Sequence, residues 1–508
     1  MASKLTAQTL LDNGITPLTP KEFVRNELMK IISTLTEKGL DRESIFQSLY
    51  PKTILDFDTL ESLTTALIAG NNILLFGPPG SGKTNLAKDV WSLFPKKVYA
   101  VEGCPVHDDP FSIVDSEYAK RSPPCPSCRA RFGKGSGSPD GKWWGKASTV
   151  VEEYDPADVD PRQVPVVAMT MREGYGFARV QGSPEVFPDN LTGTINILKL
   201  EEIGDPTSPL VMEPGKLLQA NRGLLIVDEV GKLPKGTQNV LLQALQEDIV
   251  SPAKSRETFP AAFIAITTSN MDDLDNINEP LNDRLSNIYV GFNSYHQKNR
   301  MIVDLAETDH DIFFPEIFLE ADIHLIERWR KVHTHGHELS EVGSNRTMMD
   351  IVTRAEAYAK VNFTYHVDMD AFRKGTIQAL LGRIRARSGD SYMRSNVTIE
   401  DFVNKHLDDS LEKAAKEYWC RFFTRTLKKD KSEGKRVLAE IDMAIKNQDN
   451  IRNIIGSKDF KKFNRFADYI LEAEQRRGRL EDHDIILQVL GILQIVKVFE
   501  EKDLLEAL

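Results

Sequence analysis

Four cysteines in 508 residues are too few for a disulfide framework. No run approaches the roughly 18 uninterrupted apolar residues that a membrane-spanning helix requires. The opening Met1-Ala2-Ser3-Lys4 leads into mixed polar sequence without an apolar h-region, so no secretory leader is expected and the cytoplasm is the expected compartment. A basic excess is missing as well. The formal net charge is −11, which argues against a protein whose main work is coating nucleic acid, since phosphate contacts need a basic surface.

What is present is enough chain for three or four folding units. Phe23, Leu28, Ile31, Ile32 and Leu35 recur at helical spacing and predict a helix over 19–47. Another is expected over 60–69. It leads into Ile73-Leu74-Leu75-Phe76, a short apolar run ended by glycine and proline, as buried parallel strands are. Residues 223–227 and 262–267 read as two further buried strands, and regular structure is also expected at 165–169. Between 104 and 160 the periodicity disappears and Gly, Pro, Ser and charge dominate, which predicts an insertion rather than core. Beyond about residue 315 only helical patterns are found, amphipathic over 348–359, with a charged helical tail over 411–508 that shows no internal repeat.

Gly77-Pro78-Pro79-Gly80-Ser81-Gly82-Lys83-Thr84 fits G-x-x-x-x-G-K-[ST], placed after an expected strand and opening an expected helix. Its glycines let backbone N–H groups turn inward around phosphates, and the helix N-terminus adds the positive end of its dipole. Lys83 would reach the β and γ phosphates and the Thr84 hydroxyl would coordinate Mg²⁺. Asp228 ends the second apolar strand and would hold the Mg²⁺ water shell, while Glu229 would polarise the attacking water. Two acids can merely end a strand, but this edge is where doubly wound sheets hold ligands. Asn270, closing Thr267-Thr268-Ser269-Asn270, would orient the lytic water; an Asn there is also an ordinary turn former. ATP and Mg²⁺ are the expected cofactors.

In this order, over about 58–359, these parts resemble an AAA+ ATPase, and more narrowly the MoxR and magnesium-chelatase branch. Phe177-Ala178-Arg179-Val180-Gln181-Gly182-Ser183-Pro184-Glu185, continuing to Phe187-Pro188-Asp189-Asn190-Leu191-Thr192-Gly193-Thr194, is similar to the MoxR segment between the two nucleotide motifs. Asp228-Glu229-Val230, Pro234-Lys235-Gly236-Thr237-Gln238 and Leu241-Leu242-Gln243-Ala244-Leu245-Gln246-Glu247 resemble its acidic-strand block. Ala220-Asn221-Arg222-Gly223 leans toward the chelatase version. The resemblance implies an α/β fold: a P-loop AAA+ core with a doubly wound parallel sheet, an all-α lid and a helical C-terminal extension. The expected layout is an N-terminal helical segment 1–57, a core 58–312 carrying the insertion 104–160, a lid 313–410 and an extension 411–508. Leu281-Asn282-Asp283-Arg284-Leu285 is similar to the family's Leu-Asp-Arg box, which implies that Arg284 acts as a finger on a neighbouring subunit's nucleotide. Ser344-Asn345-Arg346 resembles the second sensor, with Arg346 reading nucleotide in its own chain. Each arginine would otherwise be a surface ion pair. A homo-oligomeric ring, a hexamer by family, is implied.

Cys104-Pro105-Val106-His107 gives C-x₂-H and Cys125-Pro126-Ser127-Cys128 gives C-x₂-C. Two such pairs can wrap one tetrahedral Zn²⁺, through Cys104, His107, Cys125 and Cys128, and the metal would supply folding energy to a segment with little core. A polar loop with incidental cysteines is the bland alternative. The insert departs from MoxR proteins and is more similar to PrkA-type AAA+ proteins, which carry a cysteine-bearing segment here. Trp143-Trp144 reads either as an exposed contact patch or as an anchor for the insert. Tyr175 and Phe177 read as core aromatics or as client contacts.

The resemblance implies an ATP-driven chaperone-like machine acting on a protein client, for complex assembly or cofactor insertion, with a von Willebrand A-domain protein as the characteristic partner. Competing readings are a PrkA-like protein kinase, against which no catalytic-loop block is found in the tail, and a nucleotide-controlled oligomeric scaffold. A nucleic-acid translocase is disfavoured by the acidity.

Overall fold

The computed structural model describes residues 5–133, 154–204, 206, 209–252, 257–306, 308–334, 339–386, 391–392, 396–446 and 454–498. The chain divides into two compact units, Met1–Gly291 and Phe292–Leu508.

The first unit opens with helices α1 (Ala7–Asp12), α2 (Pro20–Glu37), α3 (Arg42–Leu49) and α4 (Phe57–Ala69). The single helix expected over 19–47 is two. Gly39 takes a left-handed φ of 79° just past the first, and Asp41 caps the second by accepting the Ser44 N–H at 2.9 Å. A left-handed glycine stops a helix, and an Asp N-cap starts the next. Then follow β1 (Asn72–Phe76), α5 (Lys83–Trp91), β2 (Lys97–Val101), α6 (Pro110–Val114), α7 (Ser116–Arg121), α8 (Pro126–Phe132), β3 (Val166–Thr170), β4 (Arg172–Glu173) and β5 (Gly176–Gln181). After them come α9 (Pro188–Thr192), β6 (Gly193–Ile195), α10 (Ile197–Ile203), β7 (Met212–Pro214), α11 (Lys216–Gln219) and β8 (Leu224–Asp228). The unit closes with α12 (Lys235–Glu247), β9 (Ile249–Val250), β10 (Phe259–Pro260), β11 (Ile264–Ser269), α13 (Glu279–Asn282) and β12 (Leu285–Tyr289).

The main sheet runs β12-β1-β11-β8-β5-β4, and every pairing in it is parallel. Alternation along the central strands sorts side chains onto its two faces. Leu74, Leu225, Val227 and Ala265 enter one apolar cluster; Ile73, Leu75, Leu224, Ile226, Ile264 and Ile266 enter the other. Strands buried on both faces read as unbroken apolar runs, which is why these three were legible. The register sets Phe76 beside Ser269, Thr267 beside Val227 and Asp228 beside Gln181, so four strands finish together at their C-terminal edge.

The cysteine segment corrects the expectation of an insertion without core. It leaves from β2 and returns by β3, which pair antiparallel with Val101 opposite Val166. Between them lie α6, α7 and α8, and Val106, Phe111, Ile113 and Tyr118 are buried in the same cluster as one sheet face. Helices of five to seven residues are too short to leave a period in sequence. Trp143 and Trp144 lie outside the described residues. Two side chains before β8 tie the insert to the sheet. Asn221 is buried; it accepts the Ala262 N–H at 3.0 Å and donates to the Val106 carbonyl at 2.9 Å. Arg222 pairs with the buried Asp109 at 2.6 Å.

The second unit is mostly helical: α14 (His296–Asp304), α15 (Glu316–Thr334), α16 (Asn345–Val361), α17 (Met369–Leu380), α18 (Asn396–Arg425), α19 (Lys431–Lys446), α20 (Lys461–Ala473) and α21 (Asp482–Ile495). It also holds a small antiparallel sheet of β13 (Leu339–Glu341), β14 (Arg385–Ala386) and β15 (Ser391–Tyr392), where only helix was expected. Strands of two or three residues carry no alternation to read. Trp419, Phe422, Phe466 and Tyr469 pack between α18 and α20 with ring centroids as close as 4.7 Å. Among the described residues no helix is long and apolar enough to cross a membrane.

Asn221→Ala would orphan one buried N–H and one buried carbonyl, each costing about 1–3 kcal/mol. The denaturant midpoint of the first unit is expected to fall clearly, read by near-UV circular dichroism; an unchanged midpoint would show that Asn221 does not fasten the insert.

Candidate nucleotide-binding site

Beyond Phe76 the chain turns at once. Gly77 has φ 153°, and a Cβ added there would lie 2.2 Å from the Val290 carbonyl oxygen. Gly80 and Gly82 have φ 72° and 103°, conformations that favour glycine. The loop runs into α5 with Lys83 as its first residue. Lys83 is buried, and its Nζ donates to the Gly77 carbonyl at 2.9 Å, the Pro78 carbonyl at 2.8 Å and Asn270 Oδ1 at 3.3 Å. All three acceptors are neutral. Burial lowers its pKa to about 8 against the opposing pull of Glu229. The Ser81 hydroxyl is buried with no hydrogen-bond partner among the described residues. A buried cation on neutral acceptors, an orphan hydroxyl and a glycine turn at a helix N-terminus fit an anionic phosphate.

The Thr84 hydroxyl donates to Asp228 Oδ1 at 2.9 Å, which also accepts from the Thr268 hydroxyl at 3.3 Å. The other Asp228 oxygen pairs with Arg179 at 2.6 Å. A hydroxyl and a carboxylate converging at a strand end are hard oxygen donors of the kind Mg²⁺ takes. When bound, Mg²⁺ neutralises phosphate charge.

Glu229 has φ 52° and ψ 50°, a left-handed conformation that costs energy in a non-glycine residue and gathers at working sites. Its N–H donates to the Thr268 hydroxyl at 3.1 Å. Gly182 packs so close that a Cβ there would lie 2.1 Å from the Glu229 carbonyl oxygen. The Glu229 carboxylate accepts from Gln181 Nε2 at 2.9 Å, from Lys232 at 3.0 Å and from Asn270 Nδ2 at 3.5 Å. One Asn270 amide therefore bridges Lys83 and Glu229, taking a hydrogen bond from one and giving one to the other.

Arg179 and Gln181 were read only as parts of a motif. They are alternate residues on β5, whose intervening Val180 is buried, and they meet the two successive acids of the neighbouring strand. The signal was present: two polar residues at period two inside an apolar strand share a face. Tyr175 is partly exposed and its ring lies 4.7 Å from that of His107, while Phe177 packs on Trp91 at 4.7 Å.

Arg284 follows α13 and is exposed. It donates to Gln246 Oε1 at 3.2 Å and to the Pro280 carbonyl at 3.0 Å, and it makes no ion pair among the described residues. Arg346 is exposed near the start of α16, where Ser344 caps the helix by accepting the Thr347 N–H at 3.3 Å.

Cys104, Cys125 and Cys128 come together, all buried, but the fourth donor beside them is Asp108. His107 does not join them. It adopts φ 59°, a left-handed turn that brings the next residue to the sulfurs instead. Burial pushes Asp108, Cys125 and Cys128 well above their ordinary ranges. For Cys104 burial acts the same way, and hydrogen bonds with Cys125 and Cys128 outweigh it to bring the thiol well down.

Comparison with known proteins fits this geometry. Residues 66–304 match the family model described as the PrkA AAA domain. Over 287 residues the chain is 26% identical to the magnesium-chelatase 67 kDa subunit of Heliobacterium mobile, covering 56% of this chain and 35% of that one. It is 22% identical over 388 residues to the magnesium-chelatase subunit ChlI homolog of Methanocaldococcus jannaschii, covering 71% of this chain and 92% of that one. A solved complex of magnesium-chelatase subunits BchI and BchD is similar at 22% identity and a TM-score of 0.31, covering 64% of this chain and 92% of that one. The chain spans about a third to a half of the length of the magnesium-chelatase 67 kDa and 38 kDa subunits it matches. The matches indicate an AAA+ ATPase. More narrowly, it is related to the magnesium-chelatase subunits and to the PrkA AAA domain, a family that implies ATP and Mg²⁺.

Protonated Lys83 is the form whose charge would complement a phosphate. With its pKa near 8, that form dominates at pH 7 and is scarce at pH 9, so ATP affinity is expected to weaken about tenfold between them. Binding titrations at the two values check this; equal affinities would remove the buried lysine from phosphate recognition.

Proposed function

We propose that the chain hydrolyses ATP as a subunit of a ring and uses the cycle to remodel a protein partner. The observation that carries the reading is Glu229, held left-handed beside Asp228 with its carboxylate linked through Asn270 to Lys83. Lys83 and the loop amides hold the phosphates, and Thr84 with Asp228 provides the oxygens for Mg²⁺. Glu229 takes the proton of the attacking water while Asn270 keeps that water in line. Arg284, exposed and without an acid partner among the described residues, is suited to reach a neighbouring copy's nucleotide, and a ring, hexameric by family, lets it do so. Arg346, in the unit that would serve as lid, reads nucleotide in its own chain.

The magnesium-chelatase relatives support assembly with partner proteins, and a chaperone-like role on a client, with a von Willebrand A-domain protein as partner, belongs to the same proposal. So do a cytoplasmic location and a zinc ion in the cysteine segment. A PrkA-like protein kinase is the second reading, favoured by the PrkA AAA domain match. Label passing from γ-labelled ATP to protein would replace the first reading with it.

Glu229→Gln is expected to bind ATP normally and to hydrolyse it about 10²–10⁴-fold more slowly; near-normal turnover would sink the assignment of the base. Arg284→Ala is expected to bind ATP and lose turnover about 10³-fold, as loss of an arginine finger does. Mixing it with Glu229→Gln should recover part of the activity, because mixed rings regain intact pockets. If mixing restores nothing, the finger does not act across an interface.

A further inference from the structure

We propose that one Zn²⁺ is held inside the segment between β2 and β3 by Cys104, Asp108, Cys125 and Cys128, with His107 outside the ligand set, and that it fastens this segment onto the sheet. The proposal rests on the zinc reading above and assigns its donors.

All four donor residues are buried, and their ligand atoms lie within 4.8 Å of one another. Tetrahedral Zn²⁺ with Zn–S bonds of about 2.3 Å sets its sulfurs roughly 3.8 Å apart. Cys104 Sγ and Cys125 Sγ lie 3.6 Å apart, close to that edge and far beyond the roughly 2.05 Å of a disulfide. The donors arrive from two similar turns. The Asp108 N–H donates to Cys104 Sγ at 3.3 Å, and the Cys128 N–H donates to Cys125 Sγ at 3.4 Å. Backbone donors of this kind stabilise thiolate, the form that binds metal. Pro105 and Pro126 follow the leading cysteine of each turn and fix its φ.

Asp108 supplies the independent observation. One of its oxygens accepts the Cys125 N–H at 2.7 Å. The other, Oδ1, is buried with no hydrogen-bond partner among the described residues. A bare carboxylate oxygen in a dry place beside three sulfurs is costly unless a cation meets it. Arg131 lies near enough to act electrostatically on Cys128 and Cys104, and it offsets part of the charge that three thiolates and a carboxylate bring. Three soft sulfurs select Zn²⁺ over Mg²⁺. Four protein ligands leave no open position, as in structural rather than catalytic sites.

The second group of metal-capable side chains, His296, Glu320 and His324, differs in kind. Its donors are already engaged: Glu320 by His296 at 2.7 Å and Arg421 at 3.3 Å, and His324 by Glu417 at 3.0 Å and Lys413 at 3.2 Å. It is a closed network of opposite charges, whereas the cysteine site has acids and no cation among its donors.

The test uses the full chain, purified in reductant without added metal, with zinc and ATP binding measured on the same samples. About one zinc per chain is expected. His107→Ala should keep it, while Asp108→Ala and Cys125→Ser should lose it at least tenfold more readily to a chelator. Because those variants can also lose the fold of the segment, wild-type protein reloaded with Co²⁺ gives a second readout. Its near-ultraviolet sulfur-to-cobalt absorption should have the intensity of three thiolate bonds, and an intensity fitting two or four would overturn the donor set. Loss of zinc in His107→Ala with retention in Asp108→Ala would restore a histidine ligand and overturn the assignment while leaving zinc itself. Absence of zinc, or a Cys104–Cys125 disulfide found by mass spectrometry, would remove the site. ATP binding intact in those same samples would leave the nucleotide reading standing.

Discussion

A lysine ammonium buried among neutral oxygens is short of a counter-charge, and the nucleotide half of this protein is built around that shortage. Among the described residues Lys83 donates only to carbonyls and an amide, and burial draws its pKa down to about 8. An arriving phosphate supplies the missing charge, so binding energy is concentrated at one atom. Asn270 then links that atom to Glu229. The phosphate-loop lysine and the Glu229 carboxylate are therefore linked through a single side chain.

The sheet makes this coupling a matter of register. Parallel strands ending at one edge bring Lys83, the adjacent Asp228 and Glu229, and Asn270 together from three distant stretches of sequence, and that edge is where open α/β sheets hold ligands. Local strain is accepted to complete the arrangement. Glu229 is left-handed without being glycine, and Gly182 makes room for it. Arg179 and Gln181 on β5 each engage one of the two acids, Asp228 and Glu229 respectively.

The cysteine segment follows a different logic. It packs on one face of the same sheet through Val106, Phe111, Ile113 and Tyr118, and Asn221 and Arg222 bind it to the start of β8. Its sulfurs and Asp108 sit in that apolar layer, so whatever balances their charge also bears on how firmly the layer closes. Polar groups gathered in a low dielectric either hold a structure strongly or weaken it, according to whether they are satisfied.

The phosphate loop, the acid pair and Asn270 were legible from sequence, because each joins a fixed local pattern to an apolar run with a fixed direction. The same holds for the three central strands, whose burial on both faces leaves no polar interruption. The break at Gly39, the short helices α6 to α8 and the strands β13 to β15 were not legible, since elements of a few residues carry no period. Sequence by itself determined which chemistry is present: the cation, the acids, the amide and the thiols are local choices. Tertiary structure alone decided which of them meet. His107 and Asp108 are neighbours in the chain, yet a left-handed turn sends only the second to the sulfurs. Arg179 and Gln181 found the acids through strand register. Contacts between distant segments are set by packing and backbone direction, and no local pattern encodes them.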